Sequence, residues 1–201
     1  MFDTEKLKER IRPLMSDFRY RHTLSVAGEC EKLALMLGVD PEPVVIAAYL
    51  HDITKEMSTE GQLSLCKEYG IEIDGDTIAS PKTLHSFSAP ALIKRDFPEY
   101  ATPEILSAVS YHTTGRANMT VYEKILYLAD YVEPTREYDD CIEVRICFYN
   151  NRTTPEKAMD EALLLSLKIT IRQLLDDQRA VHPLTVNAYN DLLMKGGIKL
   201  G

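Results

Sequence analysis

Apolar and polar positions along this chain repeat with the helical period almost from end to end. Leu7, Ile11 and Leu14 follow Thr4 at spacings of three and four, which predicts a first helix that Pro13 breaks or kinks. A second helix is predicted over 20–37, stopped at Gly38, and a third opens at Asp40 with Pro41 in the first position. Thr59 with Gln62 has the spacing of a capping box, and Gly70 ends the helix it starts. Further helices are predicted over 83–95, from Thr102-Pro103 to the Thr113-Thr114-Gly115 turn, and from the Thr120/Glu123 box to Pro134. A long one starts at Thr153 with Glu156, and a short one follows Pro183 and ends at Gly196-Gly197. The long helix is apolar on all sides from Ala158 to Leu175, which predicts burial. No run alternates with period two, so the expected fold is an all-α bundle.

The histidines fall on the apolar side of this pattern. His22 shares a stripe with Val26, Leu33 and Leu37; His51 follows Val44 and Ala48; His85 is continued by Ala89 and Leu92; His112 follows Ile105, Ala108 and Val109. Residues three, four and seven apart share a helix face, so four imidazoles on separate helices point into the bundle. A buried imidazole needs a partner, and a metal or an anion satisfies several at once. Asp52 directly follows His51. Asp130 lies within the apolar run from Ile125 to Val132, where a carboxylate must be ion-paired, to Lys55 or Arg136, or metal-bound.

Composition narrows the chemistry. The 201 residues carry 23 Lys and Arg against 31 Asp and Glu, a net charge of −8. That balance excludes non-specific wrapping of nucleic acid, while a small polyanion remains acceptable at a locally positive site. The longest apolar stretches, such as 44–50, are far shorter than the ~20 residues a membrane span needs. The N-terminal segment has no apolar leader pattern. Cys30, Cys66, Cys141 and Cys147 show no CxxC spacing, which fits a reduced, cytoplasmic protein without a membrane partner.

An ordered set of His22, His51-Asp52 and Asp130 on an all-α bundle resembles the HD-domain metal-dependent phosphohydrolases. The segments 19–24 (RYRHTL), 50–55 (LHDITK), 111–116 (YHTTGR) and 128–136 (LADYVEPTR) are similar to the YqeK-type bacterial members. Those are symmetrical bis(5′-nucleosyl)-tetraphosphatases, which cut diadenosine tetraphosphate into two ADP. The likeness spans about 19–190 and implies a single HD domain over 1–201. It implies that His22, His51, Asp52 and Asp130 hold the metal, iron in that family, with manganese or another divalent ion as the alternative. A metal hydroxide would then attack an inner phosphorus.

Asp52, Lys55, His85, His112 and Arg136 are the expected catalytic set, with Lys55 and Arg136 clamping phosphate and the two histidines doing the same or binding a second metal. Ordinary solvated charge is the competing reading for Lys55 and Arg136. Besides these, the resemblance assigns contacts with a dinucleoside polyphosphate or a nucleoside diphosphate to Arg19, Ile53, Thr54, Thr113 and the loop Ala180-Val181-His182-Pro183-Leu184-Thr185. For His182 alone, simple capping of the helix at Pro183 is favoured. Asp139-Asp140 and Asp176-Asp177 read as solvated faces. A homodimer is compatible with the pattern. The alternatives are a broader HD nucleotidase or (d)NTP phosphohydrolase and a non-enzymatic nucleotide sensor.

Overall fold

The computed structural model describes residues 2–196, and among them every regular element is a helix. They are α1 (Thr4–Ile11), α2 (Asp17–Met36), α3 (Glu42–Leu50), α4 (Thr59–Glu68), α5 (Gly75–Ala79), α6 (Leu84–Asp96), α7 (Pro103–Tyr111), α8 (Val121–Val132), α9 (Asp139–Tyr149), α10 (Pro155–Asp176) and α11 (Pro183–Lys195), with short 3-10 turns beside Pro13, Pro81 and Pro98. None is long and apolar enough to cross a membrane.

Capping sets the starts. Ser16 accepts the Arg19 amide, so α2 begins before the predicted boundary at 20. The box at Thr120 and Glu123 is complete in both directions. The one expected at Thr59 is displaced: Ser58 caps α4, and Gln62 donates to the Met57 carbonyl instead. Likewise Thr154, not Thr153, caps α10. Asp40 accepts the Glu42 amide ahead of α3. Gly38 and Gly70 end their helices with φ of +68° and +65°, a region that favours glycine. Gly197 lies outside the described residues.

The core lies where α2, α3, α7 and α8 pack on one another, with α10 laid over α8 and flanked by α9 and α11. Leu33, Ile46, Leu50, Ile105, Ile125, Leu126 and Leu128 are fully buried there. Truncating any one of them to Ala would cost roughly 2–5 kcal/mol, through lost transfer energy and the cavity left behind. The expected all-round burial of 158–175 is corrected. Ala158, Met159, Ala162, Leu163 and Leu167 are buried, but Leu175 is 63% exposed. The reason is that α10 is covered by α8, α9 and α11 along one side only. Helix α9 has no counterpart in the expected elements; Tyr138 offers no side-chain cap at its start.

Candidate metal centre

The four predicted histidines converge, and three of them stand at helix ends. His51 is the last residue of α3's hydrogen-bonded turn, and His112 holds the same place in α7. The last carbonyls of a helix lack intrahelical partners. His51 donates its Nδ1–H to the Ala48 carbonyl at 2.6 Å, and His112 donates to Val109 at 2.7 Å. These bonds fix the tautomer: each ring presents an Nε2 lone pair to the centre of the bundle. His85, in the first turn of α6, is 2% exposed. The hydroxyl of Thr54 donates to its backbone carbonyl at 3.1 Å, and Ser88 in turn donates to Thr54.

His22, on α2, is oriented differently. Its Nδ1–H donates to Glu133 Oε1 at 3.2 Å. Glu133 is itself held by the Ser25 hydroxyl at 2.6 Å and by the Thr135 amide and hydroxyl, both at 2.7 Å. It is 1% exposed. Sequence reasoning missed it: beside Pro134, just past the end of α8, it reads as a solvated acid.

Around the gap between these rings lie the two aspartates. His22 Nε2 is 3.0 Å from Asp130 Oδ1, and His51 Nε2 is 3.4 Å from Asp52 Oδ2. Asp52 Oδ1 is 3.1 Å from His85 Nε2 and 3.7 Å from His112 Nε2. Yet His22 Nε2, His51 Nε2 and Asp52 Oδ1 are buried without hydrogen-bond partners. The atoms are near one another but off the hydrogen-bonding direction. His22, His51 and Asp130 each bring a ligand atom within 4.8 Å of the others, and so do His51, Asp52 and His112. Two orphaned imidazole nitrogens and an orphaned carboxylate oxygen at this spacing fit a divalent cation.

The electrostatics agree. Burial opposes charge on His22, but Asp130 and Glu133 outweigh it and raise its pKa to about 9. Burial also opposes ionisation of Asp52 and Asp130; the surrounding imidazoles, and for Asp130 the Arg136 guanidinium first, hold both carboxyls well below the usual range. His85 goes the other way. Burial lowers its pKa to about 4, and the Asp52 carboxylate only partly offsets that. Burial lowers His112 as well.

Two cavities flank the cluster. An open one of about 530 Å³ is lined by Arg19, His22, Asp52, Lys55, Asp130, Glu133 and Arg136. Its cations are engaged with the acids: Arg19 is ion-paired to Asp52, and Arg136 Nη2 is 2.8 Å from Asp130 Oδ1. The sequence offered a salt bridge or a metal for Asp130; the structure places both a cation partner and the imidazoles beside it. Lys55 is no freely solvated charge, because its Nζ donates to His85 Nε2 at 3.0 Å. A smaller cavity of about 190 Å³ is lined by Thr113, Lys82, Thr170, Leu174, Arg179, Ala180, His182 and Thr185. Thr113 links this cavity to the cluster, with its hydroxyl 3.1 Å from His112 Nε2.

Comparison with known proteins decides the family. Residues 19–135 match the HD domain model. The chain belongs to the HD-domain family. The HD chain is 31% identical to "Bis(5'-nucleosyl)-tetraphosphatase, symmetrical" of Halalkalibacterium halodurans, over 94% of its own length and 97% of that protein. It is 30% identical to the Bacillus subtilis protein of the same description, over 91% and 94% of the two chains. A solved structure, titled a predicted HD superfamily hydrolase involved in NAD metabolism from Clostridium acetobutylicum, superposes with a TM-score of 0.86 at 30% identity, covering 97% of this chain and 99% of that one.

Some expected contacts of the HD domain sit elsewhere than at the cavities. Ile53 is a core side chain, 3% exposed. Thr54 is fully buried, its hydroxyl taken up by the His85 carbonyl and Ser88. These side chains buttress the centre rather than face it. Of the loop at 180–185, Ala180, His182 and Thr185 line the smaller cavity, while Val181, Pro183 and Leu184 do not. His182 does cap α11, accepting the Leu184 amide at 3.2 Å, and its Nε2 meets the Thr77 hydroxyl at 3.1 Å. Lys82, Thr170, Leu174 and Arg179 were not singled out, because their spacing carries no signal until α10 and the segment after α5 are brought together.

Proposed function

We propose that this protein hydrolyses dinucleoside tetraphosphates at their centre, turning diadenosine tetraphosphate into two ADP. The observation that carries this reading is the set of three orphaned ligand atoms, on His22, His51 and Asp52, lying between a smaller cavity and a larger, cation-lined one. Relatives described as symmetrical tetraphosphatases align over nearly the whole chain. In this reading His22, His51, Asp52 and Asp130 hold a divalent metal, which we assign as iron with manganese as the alternative. When bound, the metal polarises phosphorus and supplies an acidified water.

The chain's own groups do the rest. Arg19 and Arg136 each keep a buried Nε without a partner, a donor ready for a phosphate oxygen. Lys55 adds a third cation on the same wall. His85 and His112, held neutral by burial, present acceptor nitrogens that keep the Lys55 ammonium and the Thr113 hydroxyl in place beside the cluster. One nucleoside occupies the smaller cavity against Thr113, Ala180, His182 and Thr185. Its phosphates then pass Thr113 to the cluster, so position selects the bond that breaks. The four cysteines are free, and we place the protein in the cytoplasm on that ground.

Chromatography of the earliest products from diadenosine tetraphosphate tests the reading. Two ADP are expected. ATP with AMP as first products would overturn central cleavage. Rapid turnover of mononucleotides, with none of the dinucleotide, would make the protein a broader nucleotidase.

A further inference from the structure

The open cavity carries a feature that metal and phosphate chemistry leave unexplained. Among the described residues, Tyr138 and Phe18 are the most exposed large apolar side chains, at 70% and 67%. Neither belongs to the hydrophobic core or packs against it. Both line the same cavity as His22, Asp52 and Asp130. Exposed apolar residues scattered singly need no explanation, but two aromatic rings at the mouth of a charged cleft do.

Their backbones are held firmly. Phe18 sits in the first turn of α2, where Ser16 caps the helix and is itself bound through amide and hydroxyl to Glu56 at 2.7 and 2.6 Å. Tyr138 precedes α9 at the end of a strap that Arg145 clamps, donating to the carbonyls of Val132, Glu133 and Arg136 at 2.7, 2.7 and 2.8 Å. Rings fixed at the backbone and bare at the tip suit stacking, because little further order is lost on binding. The substrate is nearly symmetric, whereas the two cavities are not. The smaller, of about 190 Å³, takes one nucleoside in the reading above; the other half of the substrate then lies in the larger, of about 530 Å³, past Arg19, Lys55 and Arg136.

We propose that Phe18 and Tyr138 form a stacking platform for the nucleobase of the departing nucleoside diphosphate. This rests on the tetraphosphatase reading above. A π-face platform accepts any base, so the distal side tolerates guanine as well as adenine, while the smaller cavity sets base preference.

The test compares diadenosine tetraphosphate with adenosine 5′-tetraphosphate, which lacks the distal nucleoside. In the Phe18→Ala/Tyr138→Ala double variant, the ratio of kcat/KM for the first over the second is expected to fall roughly tenfold or more, mostly through KM. An unchanged ratio, with wild-type protein releasing two ADP, overturns the platform alone. An equal fall on both substrates, or a lowered melting temperature, gives the rings a structural role and overturns it too. Failure of the wild-type protein to cleave the dinucleotide removes the reading beneath it. The sequence has no tryptophan, so Tyr138→Trp adds an independent readout. Its fluorescence is expected to be quenched on mixing with the dinucleotide but not with tripolyphosphate; equal response to both counts against stacking.

Discussion

His22 and His85 belong to one cluster, yet their surroundings oppose each other. His22 faces Asp130 and Glu133, whose negative charge outweighs burial and raises its pKa to about 9, the mark of a place that attracts a cation. His85 faces Lys55 and His112, with Asp52 as the nearest acid, and stays neutral down to a pH of about 4. The same residue type thus serves two purposes within one buried site. The His22 side gathers anionic groups around a place for a cation. On the His85 side the groups are two neutral rings and the Lys55 ammonium, which in the proposed function receives a phosphate. Asp52 joins the two, one oxygen toward His51 and Arg19 and the other toward His85 and His112.

That division gives an order of effects. Asp52→Ala and His51→Ala strike the shared boundary and are expected to abolish bound metal and turnover together; elemental analysis showing full metal occupancy in both variants would break the assignment. Arg136→Ala is next. It should retain metal but lose about 10²–10³-fold in kcat/KM, the effect of removing one donor to a developing anion. An undiminished rate would confine Arg136 to its ion pair with Asp130. Glu133→Gln keeps the shape but weakens the grip on His22 Nδ1. A loss of roughly 10–100-fold in metal affinity is expected, read by competition with a chelator, with the His85 side intact. Smallest is Thr54→Val, which takes one of two hydroxyl donors from the His85 carbonyl and removes an acceptor of Ser88. A stability loss of about 1–3 kcal/mol by denaturant melt, with metal content unchanged, would separate the two sides cleanly; loss of metal would merge them.

The sequence made half of this contrast visible. Helical spacing is a local property, so His22, His51, His85 and His112 could be set on inward faces without knowing which helices meet. Glu133 shows the limit. Its importance comes from Ser25 and His22, on a helix more than a hundred positions earlier, and no local period points there. Helix α9 was missed for a related reason: Cys141, Val144 and Phe148 are buried at spacings of three and four, but without a side-chain cap the start gave no signal. On α10 the error ran the other way. Dense leucines read as burial on all sides, whereas half of that helix has no neighbour to cover it. Phe18 and Tyr138 passed unnoticed because nothing in sequence separates an exposed aromatic ring from a buried one.

The hydrogen bond from His22 to Glu133 closes a loop of 111 residues. Bringing such distant segments together is among the later and slower events in forming a fold. A chain emerging from the ribosome therefore carries His22, His51 and Asp52 for some time before Asp130 is available to complete the proposed ligand set. Since an ion that binds only the finished arrangement adds its binding energy to the finished arrangement, loading with metal would report that α2 and the end of α8 have met. A partly folded copy would stay both unloaded and inactive, so this protein is not switched on before its long-range contacts are made.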